Sequence, residues 1–400
     1  MNNADTKIII LKKGKDKAAW QLHPWVFSGA IAAINGDPAN GDLVSVYNDD
    51  NEFIAYGYYN GASRVAVRLL EWDPANIVDD NWWKNRVRKA IKARESIFHD
   101  GQTNTARLVF SEADFLPGLI ADRFANFISV QILTAGIEKV KGIIIDELQN
   151  LLKPAGIFQR ADATARAHDG LEASGGVLRG EHPPEFVEII ENGVQYKVNI
   201  AEGQKSGFYC DQRVNRLVVA QYAKGKRVLD CFSYSGGFSL NALQKGAADV
   251  YSVDSSALAI ETLKQNIILN NLEVDRHTAI QSDVNKQLKI FREKGEKFDL
   301  VILDPPKYAP SRSSLEKASR AYKELNRLGL LLLQSGGLLA TFSCSGAMDI
   351  DTFKQVLAWA ALDAGREIQF IYQFTQPEDH PIRASFPEGE YLKGLLCRVV

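Results

Sequence analysis

From about residue 225 onward, short runs of consecutive apolar residues alternate with stretches of three- and four-residue apolar spacing. This is the pattern of strands buried on both faces and separated by helices. Strands are expected at 227–233, 249–254, 278–282, 298–304, 337–343, 367–374 and 392–400, which together predict an α/β fold built on a doubly wound sheet. The stretch Thr375 to Tyr391 lacks helical periodicity, so the final strand is expected to run antiparallel.

Upstream the pattern changes. Residues 8 to 72 read as short strands and turns, among them Asp42–Tyr47, Phe53–Tyr59 and Arg64–Leu70, and form a small β-rich module. Residues 82 to 99 predict a helix with an apolar stripe of Trp83, Val87, Ala90 and Ile91. Between 105 and 200 strands mix with a helix marked by Ile137, Val140, Ile144, Leu148 and Leu151. Asn192-Gly193 within that region is a type I′ hairpin signal. The expected division is 1–75, a small barrel; 76–100, a linker helix; 101–195, an α+β middle domain; and 196–400, the sheet domain.

At 46% hydrophobic and 24% charged residues, the composition is that of a globular protein. The amino terminus lacks the length and cleavage pattern of a signal peptide, and the longest apolar run, Leu328 to Leu333, is far too short to span a bilayer. A cytoplasmic location is expected. Cys210, Cys231, Cys344 and Cys397 are too irregularly spaced for a zinc site or a disulfide framework, so no metal is expected and an unusual cysteine is more readily reactive than structural. A net charge of −2 argues against tight, indiscriminate nucleic-acid binding. The run Lys84, Arg86, Arg88, Lys89, Lys92 and Arg94 reads either as a solvated face or as a local RNA contact.

The sharpest chemical signal is Asp304-Pro305-Pro306-Lys307, which ends the apolar run Phe298–Leu303. The double proline stops the strand and leaves a carboxylate at its carboxyl end, where open α/β sheets build their sites. Gly337–Phe342 predicts another strand that ends in Ser343-Cys344-Ser345. If the two strands are neighbours, a thiol stands beside that carboxylate, an acid beside a nucleophile. Lys307 is placed either to raise the thiolate fraction of Cys344 or to hold phosphate.

The cofactor is read from the first strand of the sheet, where Asp230 leads into Cys231-Phe232-Ser233-Tyr234-Ser235-Gly236-Gly237. Small residues at such a turn let the backbone approach a ligand, and the following helix presents its amino terminus. Asp254, 24 positions after Asp230, suits ribose, and Asp283 suits an adenine amino group. Either alone is as readily a helix cap, but with Asp304 they outline S-adenosylmethionine. Absence of G-x-G-x-x-G weakens a nicotinamide or flavin reading. Before the sheet, Gly207–Arg213 contributes Gln212 and Arg213, the latter placed to orient a cofactor carboxylate.

These motifs, with Thr341–Gly346, Asp379-His380-Pro381 and Pro387–Gly394, closely resemble those of the bacterial ribosomal RNA large subunit methyltransferase I family. His23-Pro24-Trp25, the Gly41-Asp42 strand start and the Tyr59–Ser63 turn similarly resemble a PUA domain, a compact RNA-binding barrel. The resemblance implies a PUA domain, a middle α+β domain and a class I methyltransferase domain. It also implies that S-adenosylmethionine is used to make 5-methylcytosine in 23S ribosomal RNA, naked or partly assembled. A homodimer is left open. RNA contacts are expected at His23, Trp25, Arg64 and Arg68. Cys344, Asp304 and Lys307 are the expected catalytic residues, with Cys344 adding to C6 of the base. Lys307-Tyr308 stands where related enzymes often carry a second cysteine, which leaves the base that removes the C5 proton unassigned. Two alternatives stand beside this reading: N-methylation of a guanine, which needs no thiol, and a non-catalytic RNA-binding assembly factor.

Overall fold

The computed structural model describes residues 7–203, 205–308 and 314–400. By contact the chain divides into two compact units, one of Met1–Val187, Val198–Cys210 and Glu378–Gly389, the other of Glu188–Lys197, Asp211–Pro377 and Glu390–Val400.

In the first unit, a six-stranded sheet follows the order Trp25–Phe27, Val65–Glu71, Phe53–Tyr59, Leu43–Tyr47, Ile8–Leu11, Ile31–Asn35. Ile9, Leu11, Val44, Val46, Ile54, Val67 and Leu69 fill its interior, the alternation expected of short strands with one face buried. A five-stranded sheet, with Thr105–Phe110 at one edge and Gly176–Gly180 at the other, packs on the helices Asp80–Lys92 and Ala135–Leu152. Tyr58 ties the two sheets together. Its hydroxyl donates to Pro117 O at 2.6 Å, and its ring lies where a Cβ on Gly136 would fall, 2.2 Å from Cγ. Tyr58 and Leu70 of the barrel strands thus pack within the core of the middle sheet.

Among the described residues, three of the six cations in and just after the basic helix are held in ion pairs. Arg86 pairs with Glu71 at 3.1 Å, Arg88 with Glu147 at 2.7 Å and the buried Arg94 with Asp114 at 2.7 Å. Its cations serve packing as much as the solvated face that charge patterning suggested.

The second unit is an open seven-stranded sheet. Its elements are β1 (Arg227–Cys231), α1 (Gly237–Gln244), β2 (Asp249–Asp254), α2 (Ala257–Leu269), β3 (His277–Gln281), α3 (Val284–Glu293), β4 (Phe298–Leu303), α4 (Leu315–Leu332), β5 (Leu333–Ser343), α5 (Ile350–Ala364), β6 (Ile368–Thr375) and β7 (Lys393–Val399). The strand order is β3-β2-β1-β4-β5-β7-β6, parallel from β3 to β5, with β7 antiparallel to both neighbours. A break in order between β1 and β4 creates the crevice at which such sheets bind ligands. Leu229, Val301, Leu303 and Leu339 are fully buried in the sheet, which is why these strands read as continuous apolar runs.

The hairpin Val187–Glu191 and Val194–Val198, expected to close the middle domain, clusters mostly with the second unit. Gln195 N–H donates to Asn270 Oδ1 at 2.8 Å, Lys197 N–H to Asn266 Oδ1 at 2.8 Å, and the Tyr196 hydroxyl accepts from Asn241 Nδ2 at 2.8 Å. These partners on α1, on α2 and at the carboxyl cap of α2 satisfy an edge that would otherwise be exposed. Conversely, Glu378–Gly389, between β6 and β7, clusters with the first unit, where Asp379 accepts from Arg107 N–H at 3.0 Å and its carbonyl accepts from Arg94 at 3.1 Å. Among the described residues no helix is long and apolar enough to cross a membrane.

Candidate active site

β1 ends in a turn whose backbone is forced. Phe232 and Tyr234 have φ of 62° and 47°, and Gly236, which precedes α1, has φ of 92°. Two bulky residues in the left-handed region are costly, on the order of 1 to 3 kcal/mol each, and are kept only where the surroundings over-determine them. Here Asp254, at the end of β2, accepts from Tyr234 N–H at 2.9 Å and from Ser256 N–H at 2.8 Å. Gly236 is required twice over, by its φ and because a Cβ would lie 2.3 Å from Leu240 Cδ1 and 2.9 Å from Leu263 Cγ. At Gly237, the first residue of α1, a Cβ would meet Arg216 Nε at 2.8 Å.

Asp230 is buried beneath this turn. One carboxylate oxygen accepts from Ser239 N–H at 3.0 Å and Ser239 Oγ at 2.6 Å. The other, Oδ1, and the buried Ser233 Oγ have no hydrogen-bond partner among the described residues. Buried polar atoms of that kind call for a ligand donor. Desolvation, opposed by the Ser239 bonds and aided by the charges of Asp304 and Asp254, pushes the Asp230 carboxyl up to about 7. The donor set therefore fits S-adenosylmethionine, with its hydroxyls, amine and sulfonium, and opposes a phosphate-bearing cofactor. Asp254 and Asp304 add to that negative field. Asp283 caps α3 by accepting from Lys286 N–H at 2.9 Å, so the capping role weighed for it is occupied through one oxygen.

A polar relay runs from this site across three strands. Ser239 Oγ lies 2.6 Å from Ser252 Oγ, which lies 2.8 Å from His277 Nε2. Burial and the charge of Lys264 hold the His277 imidazole down at about 4. The folded state thus binds this proton more weakly than the unfolded chain. The stability due to neutral His277 is complete above about pH 6.5 and is lost as pH falls toward 4, whereas the raised Asp230 contributes in the opposite sense, losing stability as pH rises from about 4 to 7. Replacing His277 with Gln is expected to leave only the second effect. Urea unfolding at pH 5 relative to pH 7.5 should then favour the variant over the natural chain by about 1 to 2 kcal/mol, and an unchanged difference would refute the assignment.

β4 and β5 pair in parallel, with Leu303 opposite Thr341, so Asp304 and Cys344 follow the carboxyl ends of adjacent strands. Asp304 accepts from Gln212 Nε2 at 3.1 Å. Gln212 in turn accepts from Asn215 Nδ2 at 2.6 Å, and Asn215 also donates to Thr375 O at 3.1 Å, which anchors Asp304 to the end of β6. Arg213 is buried at the start of the helix Arg213–Ala220, where its carbonyl accepts from Asn192 Nδ2 at 3.1 Å. Cys344 is partly exposed, whereas Cys210, Cys231 and Cys397 are buried, and burial pushes the thiols of Cys231 and Cys397 upward. Lys307 is exposed.

The Cys344 turn is braced from two sides. Ser343 Oγ donates to the Tyr322 hydroxyl at 3.0 Å, and Ser345 Oγ lies 3.2 Å from the same oxygen. Lys393 Nζ donates to Ser345 O at 2.8 Å and to Met348 O at 2.6 Å. Sequence reasoning did not single out Asn215, Ser239, Tyr322 or Lys393. Only Lys393 left a signal, a charge just before the apolar run Leu395–Cys397.

In the first unit the four residues expected at RNA do not form one exposed patch. His23 Nδ1 accepts from Trp25 N–H at 3.2 Å, and its ring lies edge-on to Trp25 and Phe386 at 6.0 and 5.7 Å. Trp25 Nε1 donates to Glu112 at 2.9 Å, and Arg64 is exposed. Arg68 faces inward instead, paired with the buried Asp169 at 2.9 Å because no other cation offsets that carboxylate in the ion pairs of the described residues.

Residues 9–72 match the family model of a PUA-like domain, and residues 166–395 match that of an S-adenosylmethionine-dependent methyltransferase. The chain is 42% identical over 392 residues to Ribosomal RNA large subunit methyltransferase I of Escherichia coli O139:H28, covering 98% of this chain and 99% of that protein. The same figures hold for the protein of that name from Escherichia coli O157:H7. Among solved structures, SMU.776 complexed with SAH aligns with a TM-score of 0.85 at 21% identity, over 98% of this chain and 100% of that one, and so shares the fold.

Proposed function

The chain belongs to the ribosomal RNA large subunit methyltransferase I family and is an S-adenosylmethionine-dependent methyltransferase, and from that premise we propose that it methylates C5 of a cytosine in 23S ribosomal RNA through a covalent adduct between Cys344 and C6. The observation that carries this reading is the pairing of β4 with β5, which sets a carboxylate and the one partly exposed thiol at adjacent strand ends. Methylation of a ring nitrogen or exocyclic amine has no use for that thiol.

Bound S-adenosylmethionine supplies an electrophilic methyl group. Asp230 Oδ1 and Ser233 Oγ receive its polar groups, Asp254 its ribose and Asp283 its adenine edge, with Gln212 and Arg213 closing the site, while the turn at Phe232, Gly236 and Gly237 lets backbone approach. The Cys344 thiolate forms a bond to C6, the C5–C6 π electrons shift into an enamine whose C5 would take the methyl group, and the sulfur–methyl bond would break with its electron pair leaving on S-adenosylhomocysteine. A base then removes the C5 proton, the double bond returns, and the Cys344–C6 bond breaks. Asp304 holds the N3/N4 edge throughout, oriented by Gln212. The exposed Lys307 holds phosphate, and Arg64 with the His23–Trp25 pair contacts RNA. A base inside a helix cannot enter this site unless it leaves its stack, which favours naked or partly assembled RNA.

The test is mass spectrometry of nucleosides from protein-free 23S ribosomal RNA incubated with the protein and S-adenosylmethionine. A gain of 5-methylcytosine is expected. A methylated guanosine would keep the fold and cofactor but overturn the role of Cys344, and binding of S-adenosylmethionine with no methylation of any ribosomal RNA would favour the assembly-factor reading.

A further inference from the structure

We propose that Lys393 is the positioning residue that keeps Cys344 in its reactive thiolate form and fixes the turn that carries it. This inference rests on the reading of Cys344 as the nucleophile. The placement follows from strand register. In the antiparallel pairing of β5 with β7, Lys393 stands opposite Ser343, one residue before the thiol, and Gly394 stands opposite Phe342. That register is locked, because a Cβ at Gly394 would lie 2.4 Å from Phe342 Cδ1 and 3.1 Å from Thr341 O. No side chain larger than hydrogen allows the two strands to meet in this way.

Lys393 is 5% exposed. A lysine at that depth needs partners for its ammonium. Two of its three N–H groups go to Ser345 O and Met348 O, the carbonyls that follow Cys344. Both partners are acceptors, so they favour the protonated amine. Burial holds the Lys393 ammonium below the ordinary lysine range, while the charges of Cys344, Glu390 and Asp349 act to raise it and Lys307 acts to lower it. Interaction between two titrating groups is mutual, so an ammonium that Cys344 stabilises also stabilises the Cys344 thiolate. Lys307 is exposed and screened by solvent, which makes it the weaker of the two lysines for this purpose.

Among the described residues, Tyr322, Asp349 and Glu390 do not supply that charge. Tyr322 bonds Ser343 and Ser345 through its hydroxyl, and desolvation together with the Cys344 charge raises it, so it stays neutral. Asp304, Asp349 and Glu390 are acidic and oppose a thiolate. The burial of Lys393, its two bonds to carbonyls and its register opposite Ser343 therefore all serve one function, to hold a positive charge and a rigid turn at the thiol.

The test follows the alkylation of Cys344 by iodoacetamide against pH, with no RNA present, so it does not depend on which base is methylated. The other three cysteines are buried, and Cys344→Ala supplies the background. In the natural chain the midpoint of the rate profile should fall below that of a free cysteine, about 8.5; a midpoint at or above that value overturns the proposal without any variant. In Lys393→Met the midpoint should rise by about one pH unit, a roughly tenfold fall in rate at pH 7, with an unchanged plateau at high pH and unchanged S-adenosylmethionine binding. Lys393→Arg should keep the lower midpoint. A Lys393→Met profile that changes only in its plateau would show a purely structural brace and overturn the electrostatic role. If 5-methylcytosine formation survives Cys344→Ala, the function reading fails separately from this result.

Discussion

Replacing Cys344 with alanine is expected to reduce 5-methylcytosine formation by at least about 10³-fold, or about 4 kcal/mol of barrier, while S-adenosylmethionine binding stays within about twofold. C5 of cytosine is a poor nucleophile, and no other partly exposed cysteine is present to add at C6. The residues proposed to hold the cofactor, Asp230, Ser233 and Asp254, lie on β1, in the turn after it and on β2, and do not depend on this side chain. A direct check combines nucleoside mass spectrometry with calorimetric titration of the cofactor. Full activity in the variant would point to nitrogen methylation. Loss of both activity and cofactor binding would mean that the turn between Ser343 and Met348 had collapsed. The conservative Cys344→Ser change should also be inactive, since a hydroxyl at neutral pH is a far weaker nucleophile than a thiolate.

Asp304→Ala is expected to cost about 10² to 10³-fold in kcat, the range found when one preorganised group at a reacting centre is removed. Its effect should differ in kind from that of Cys344→Ala. Asp304 is one of the charges that raises Asp230, and it accepts from Gln212. Its removal should therefore lower the pH at which Asp230 ionises and weaken cofactor binding several-fold, whereas iodoacetamide should still alkylate Cys344. Single-turnover kinetics with saturating S-adenosylmethionine separate the two effects. Asp304→Asn should retain more activity than the alanine variant, because an amide still bonds the pyrimidine edge. Equal rates for the natural and alanine chains would remove Asp304 from the chemistry.

Much of this protein was legible along the chain. Continuous apolar runs revealed the buried parallel strands, because a strand covered on both faces has no polar side to interrupt it. Asp304-Pro305-Pro306 marked a strand end, since proline cannot continue a ladder, and Asn192-Gly193 marked a hairpin, since the turn needs positive φ. The lack of periodicity after Thr375 correctly indicated an antiparallel last strand.

Tertiary structure decided what depends on partners far apart in sequence. Arg68 was expected at RNA, and only the fold brings to it Asp169, about a hundred residues away, with which it pairs. The hairpin at Asn192 was expected to close the middle domain, yet the amides of Asn266 and Asn270 hold it to the second unit. Lys393 looked like one more charge in a terminal motif, and only the β5–β7 register sets it opposite Ser343. Local pattern determines which residues form strands, helices and turns, because those choices depend on neighbours within a few positions. The partner of a buried charge is determined by chain folding between residues far apart in sequence, and no local spacing encodes it.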